Sequence, residues 1–126
     1  MTYKVLVVDD SKLARMAVGR LLNILRPDWT RVEAGSASEA VALAQQSSFD
    51  LALLDFNMPE RDGLHLAADL SALKPGLPLA VVSANSQKEV VDRAAAIGAE
   101  FLAKPLTEDV LRGFLESAEA RLSVHE

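Results

Sequence analysis

Five short apolar runs alternate with five segments of helical spacing, and this alternation limits what the chain can fold into more than any other feature. The runs are YKVLVVD (Tyr3 to Asp9), TRVEAG, DLALLD, LPLAVVS and EFLAK. Each is too short for a stable helix and rich in Val and Leu, as buried strands are. Between them, apolar residues recur every three or four positions. Ala14, Ala17, Val18, Leu21, Leu22 and Leu25 form the first such face, which Pro27 stops. Ser36 and Glu39 stand at capping-box spacing at the head of the second helix, and Ser86 and Glu89 repeat it before Val90, Ala94 and Ile97, with Gly98 closing that helix. Leu66, Leu70 and Leu73 mark the third helix, which ends at Pro75-Gly76. The last helix is expected to be capped by Thr107, with Glu108 and Asp109 in its first turn and Leu111, Phe114, Leu115, Ala118 and Leu122 on one face. A strict β-then-α alternation predicts an α/β fold, a doubly wound parallel sheet covered by helices on both faces.

The chain has 126 residues, enough for one core, and no linker, repeat or low-complexity stretch divides it. The expectation is a single domain over 1–126, ordered to about 122 with a frayed 123–126 tail. Thirteen Lys+Arg against eighteen Asp+Glu give a formal charge of −5, and no basic block occurs, which argues against direct contact with nucleic acid or an anionic membrane. The absence of cysteine excludes disulfides, thiol catalysis and Cys-ligated zinc. MTYKVLVVDD breaks its apolar run with two acids after a few residues, so it reads as neither signal peptide nor membrane span, and a cytoplasmic location is the simplest expectation.

The chemistry gathers at the strand ends. The first run ends in Asp9-Asp10, the third in Asp55, the fourth in Ser83 and the fifth in Lys104; only the second, ending in Ala34-Gly35, carries no such group. In an open parallel sheet the carboxyl ends share one edge, where ligands bind. Three acids brought together repel one another unless a cation sits between them, and a hard divalent ion with oxygen ligands, Mg²⁺ above all, suits them. Mg²⁺ uses only one or two carboxylates and leaves room for a phosphoryl group, so one acid is available as a nucleophile toward phosphorus, forming an acyl phosphate. Lys104 would neutralise a phosphoryl oxygen and the Ser83 hydroxyl would bond another.

With the acid pair in VVDD, the acid in LALLDFNMPERDG, the hydroxyl in VVSA and the lysine in FLAKP, the chain resembles a response-regulator receiver domain nearly end to end. The resemblance implies a flavodoxin-like sheet of strand order 2-1-3-4-5. It implies that Asp55 accepts a phosphoryl group from a phosphohistidine on a sensor histidine kinase or histidine phosphotransfer protein. Asp10 and Asp55 would ligate Mg²⁺, Asp9 would act mainly through metal-bound water, and Asn57 would offer its backbone carbonyl. Ser83 and Lys104 would hold the phosphoryl oxygens. Ser83 and Phe101 would form the switch that remodels the face of the fourth helix, fifth strand and fifth helix for a downstream effector protein. Lys104-Pro105 matches a peptide typically cis in the family. A receiver of this kind would work alone as a monomer or weak dimer, catalysing only its own phosphorylation and dephosphorylation.

Three departures from the family pattern stand out: Ser83 where Thr is commoner, Phe101 without a phenol, and a GAEFLAKP stretch one residue shorter than in many relatives, which is expected to alter the turn into the fifth strand. Two other functions compete. A phosphatase of the haloacid-dehalogenase type would need an acid at position 57, which is Asn, to protonate the leaving group. A receiver-like module that binds partners without phosphorylation would be expected to lack an acid or the lysine, and all are present. Asp62-Gly63 reads as the turn into the third helix and Met58-Pro59 as loop shape. Lys12 and Arg15 read as donor-steering or plain surface charges. His65 and His125 read as solvated, Trp29 and Phe49 as core edges, and Asn85 as either a tuner of water access or a structural residue.

Overall fold

A computed structural model of the chain describes residues 2–59, 61–84 and 87–124. Strands and helices alternate as β1 (Lys4–Val8), α1 (Lys12–Leu25), β2 (Thr30–Ala34), α2 (Ala37–Gln46), β3 (Leu51–Asp55), α3 (Gly63–Leu73), β4 (Leu79–Ser83), α4 (Lys88–Ala96), β5 (Ala99–Ala103) and α5 (Glu108–Val124). All strand pairs are parallel and the order is β2-β1-β3-β4-β5, the doubly wound arrangement expected from the sequence. No helix among the described residues is long and apolar enough to cross a membrane.

The pleat sends alternate residues to opposite faces, and two cores result. Leu6, Val8, Ala52, Leu54, Leu79 and Val81 pack under α2, α3 and α4, whose Ala40, Ala67, Leu70 and Ala94 complete that cluster. Val5, Val7, Leu51, Leu53, Ala80 and Val82 face α1 and α5, against Leu22, Leu111, Phe114 and Leu115. β3 and β4 are buried at every position because both faces are covered, which explains why their sequences run apolar without alternation. β2 is an edge strand, and its exposed Thr30, Arg31 and Glu33 account for its weaker signal.

The helix ends follow their local chemistry with one exception. Ser11, Ser36, Asp62 and Thr107 accept hydrogen bonds from the N–H groups of Ala14, Glu39, His65 and Val110 at 3.2, 3.1, 2.9 and 3.3 Å. The Glu39 carboxylate accepts from Gly35 N–H, at 3.4 Å. At α4 the N-cap position is Gln87, without a side-chain cap bond, one residue beyond the expected Ser86, which lies outside the described residues. Only Ile97 and Gly98 link α4 to β5; Gly98 takes a left-handed φ of +75° and donates to Ala95 O at 3.0 Å, which lets the chain pass from helix to strand in two residues. Of the tail expected to fray, Ser123 and Val124 are helical and 125–126, with His125, lie outside the described residues.

The face of α1 marked by helical spacing is unevenly covered: Leu22 is buried, Val18, Leu21 and Leu25 are half-buried against the same core, Ala14 is half-buried and Ala17 is exposed. Ala14, Ala17, Val18 and Leu21 border a gap between α1 and the β5–α5 link. On α5, Gly113 is an exposed helical glycine with open space where a Cβ would sit. Gly113→Ala should raise unfolding stability by about 0.5–1 kcal/mol, read as a higher urea midpoint with unchanged slope.

Candidate functional site

The strand order determines what meets at the carboxyl edge. β3 runs between β1 and β4, so Asp55, its last residue, has Asp9 and Asp10 beside it on one flank and Ser83, the last residue of β4, on the other. Lys104 follows β5, two strand spacings or about 10 Å from β3, a span that a lysine side chain can bridge. Its Nζ lies 2.7 Å from Asp55 Oδ1, while its backbone N–H donates to Ser83 O at 3.0 Å. The Lys104-Pro105 bond is cis.

One carboxylate oxygen from each of Asp9, Asp10 and Asp55 lies within 4.8 Å of the others. Asp9 and Asp55 are 8% and 6% exposed, whereas Asp10 is open to solvent. Burial pushes the Asp9 carboxyl above its ordinary value; the Ser11 N–H bonded to its Oδ1 at 2.9 Å opposes this, Asp55 and then Asp10 add to it, and Lys104 offsets it. Because the folded state holds this proton to higher pH than the unfolded chain does, stability falls as pH rises through the window between the two pKa values. Asp9→Asn, which keeps the acceptor for Ser11, should therefore raise the Tm in chelator at neutral pH by about 2–5 °C, the effect of roughly 1 kcal/mol in a domain of this size. The gain should shrink as pH is lowered through the window in which the wild-type Asp9 carboxyl takes up its proton; melts across an acid pH series check it. The donor set, three hard oxygen ligands in mutual repulsion, fits a small divalent cation.

Residues 5–116 match the family described as the response regulator receiver domain. The chain belongs to that family. Among curated proteins, the receiver is 36% identical to the transcriptional regulatory protein PdtaR of Mycobacterium tuberculosis over 94% of this chain and 57% of that protein. It is 34% identical to ZraR of Escherichia coli K12 over 92% of this chain and 26% of that protein. The chain thus spans about half, or less, of the length of the curated relatives it matches. Among solved structures, chemotaxis protein CheY4 of Vibrio cholerae superposes with a TM-score of 0.83 at 27% identity, covering 94% of this chain and 99% of that one. The receiver domain of a diguanylate cyclase from Desulfovibrio desulfuricans gives 0.84 at 28% identity, with both chains fully covered. The chain is therefore a unit of two-component signalling, and receiver domains bind Mg²⁺ at an acidic pocket of the kind formed by Asp9, Asp10 and Asp55.

The remaining sequence candidates divide between the carboxyl edge, the core and the surface. Asn57 is exposed, two residues past β3 in the receiver. Ser83 is fully buried. Phe101 is half-buried in the middle of β5 and packs against the core under α2, α3 and α4. Met58 is half-buried against that same core, as a loop-shaping residue would be. His65 is exposed with Nδ1 3.1 Å from Asp62. Trp29 is buried edge-on to Tyr3, with ring centroids 5.2 Å apart, and Phe49 is buried beneath Lys74. Lys12 is exposed, whereas Arg15 is engaged with Glu33 and the Asp9 carbonyl. Asn85 lies outside the described residues.

Three features went unread in the sequence. A cavity of about 600 Å³ opens beside the acids, bounded by Ala14, Ala17, Val18 and Leu21 of α1, by Leu106, and by Asp55 and Lys104. Ala14 and Ala17 line it on the α1 side, and helical spacing does not show how far such a face stands from the sheet. Gly63 is pressed against the end of β3, and Arg15 grips the loop after β1. Both depend on contacts between elements, which residue spacing does not carry.

Proposed function

We propose that this receiver domain accepts a phosphoryl group on Asp55 and uses it to change its affinity for a protein partner. The observation that carries the reading is the buried Asp55 carboxylate, held 2.7 Å from Lys104 Nζ and within 4.8 Å of two further acids. A carboxylate oxygen of Asp55 attacks phosphorus of a phosphohistidine on a sensor histidine kinase or phosphotransfer protein. The P–N bond breaks, its electron pair returns to the imidazole nitrogen, and that nitrogen takes up a proton. Lys104 shifts from the carboxylate to a phosphoryl oxygen as charge builds there, and the Ser83 hydroxyl donates to another. The side chains of Asp10 and Asp55 and the Asn57 carbonyl would hold Mg²⁺, with Asp9 acting through its water. When bound, the ion neutralises charge that the three acids and the phosphoryl group cannot share. The apolar cavity flanking Asp55 offers the donor a foothold between α1 and the β5–α5 link.

Movement of Ser83 toward the phosphoryl group, with Phe101 turning further into the core, would alter the surface of α4, β5 and α5 for an effector. Coupling of roughly 1–3 kcal/mol is enough for a useful switch. The domain turns over no external metabolite in this reading, and its output passes through another protein or domain.

Intact mass after incubation with a small phosphoryl donor tests the proposal. Wild type should gain one Mg²⁺-dependent phosphoryl adduct and Asp55→Ala none. An adduct that persists in Asp55→Ala would move the acceptor elsewhere. No wild-type adduct, from the small donor or from a phosphorylated histidine phosphotransfer protein, would leave a phosphorylation-independent binding module.

A further inference from the structure

The Asp9-Asp10 pair sits in a loop that is closed by a guanidinium. Arg15, in the first turns of α1, donates from Nη1 to the Asp9 carbonyl at 2.6 Å and from Nε to Glu33 Oε1 on β2 at 3.0 Å. Its side chain is only 17% exposed, and Gly35 lies close by, a Cβ there standing 3.4 Å from Nη1. The Asp9 carbonyl belongs to the peptide joining the two acids, so the plane of that peptide is set by this bond. The other polar groups of Asp9 are also tied: N–H to Ala34 O at 3.2 Å, and Oδ1 to Ser11 N–H at 2.9 Å. Asp10 is exposed, so packing does not hold its carboxylate, and the peptide it follows sets where its Cα–Cβ bond points.

We propose that Arg15 is a positioning residue for the cation site: by clamping the Asp9 carbonyl to Glu33 it aims the Asp9 and Asp10 carboxylates at Asp55. The inference rests on the reading of these acids as the Mg²⁺ site. A planar fork holds two acceptors in a set relative geometry, whereas the three donors of an ammonium group rotate freely and impose none. The sign of its effect separates this role from plain electrostatics. A nearby cation disfavours binding of another cation, so removing the Arg15 charge should tighten Mg²⁺ binding if charge is all it contributes. Loss of a clamp should weaken it.

Amide chemical shifts of the ¹⁵N-labelled protein, followed through a Mg²⁺ titration, report binding and folding in one measurement. Arg15→Met should weaken Mg²⁺ by about tenfold, in the range of changes to groups that orient metal ligands. Arg15→Lys, which keeps the charge and loses the fork, should recover little of that. Arg15→Lys also carries the test alone if Arg15→Met folds poorly, because plain electrostatics predicts wild-type affinity there and loss of the clamp predicts weakening. Wild-type affinity or tighter in folded Arg15→Met, or full recovery in Arg15→Lys, would overturn the clamp while leaving the Mg²⁺ site intact. Shifts at Asp9, Asp10 and Asp55 that fail to respond to Mg²⁺ in wild type would instead remove the site itself, and the clamp with it.

Discussion

Lys104→Met should slow phosphoryl uptake from a small donor by about 100-fold or more, the usual scale for deleting one preorganised charge that stabilises a transition state. The methionine keeps an unbranched apolar side chain beside Pro105 and removes only the ammonium group that lies 2.7 Å from Asp55 Oδ1. Two further readouts give the loss a physical meaning. The three acids are left without their lysine, so the Tm in chelator should fall by a few degrees and Mg²⁺ should restore it. Mg²⁺ should also bind more tightly, because the variant presents the same carboxylates with one fewer competing cation. The direction is opposite to that expected for Arg15→Met, although both substitutions delete a positive charge near the acids. Uptake at the wild-type rate would take Lys104 out of the chemistry, and unchanged stability in chelator would show that its ion pair with Asp55 is screened by water.

Gly63→Val should cost on the order of 3 kcal/mol in unfolding free energy, at the upper end for overpacking, and lower the Tm by roughly 10 °C. A Cβ on Gly63 would collide with the Asp55 carbonyl oxygen and lie 2.9 Å from Phe56 Cα. Neither atom can yield easily. β3 is paired to both β1 and β4, Phe56 N–H bonds Val82 O at 3.0 Å, and Gly63 N–H itself bonds Phe56 O at 2.8 Å. The first turn of α3 must therefore shift, drawing the end of β3 with it. Urea unfolding measures the stability cost. Phosphoryl uptake by the fraction still folded should also fall, since the displaced backbone carries Asp55. Gly63→Ala should do the same to a lesser degree, and a stable Gly63→Val protein would refute the close approach.

Much of this protein was legible in residue order. The alternation of five apolar runs with five amphipathic segments sufficed for the doubly wound sheet, because strands buried on both faces and helices buried on one leave different local patterns. The polar ends of four strands were also local facts, and parallel strands deliver their ends to one edge whatever the details of packing. Caps at Ser36 and Thr107 were readable because a cap is a bond between neighbours three residues apart. The cap expected at Ser86 was not matched, since the structure puts Gln87 at that position.

What tertiary structure alone decided lies between elements. The sequence placed Lys104 at a strand end, but the pairing order of the sheet brings its ammonium group across β4 to Asp55. Arg15 looked like a surface charge because Glu33, its partner, is 18 residues away on another strand. Gly63 looked like a turn residue because the backbone it must clear belongs to β3. Ala14, Ala17 and Val18 read as one face of a helix, and periodicity gives the direction of a face but not the distance to what it faces. Local pattern determined the elements and the chemistry at their ends; distances between those ends exist only once the sheet and its two helical layers have packed.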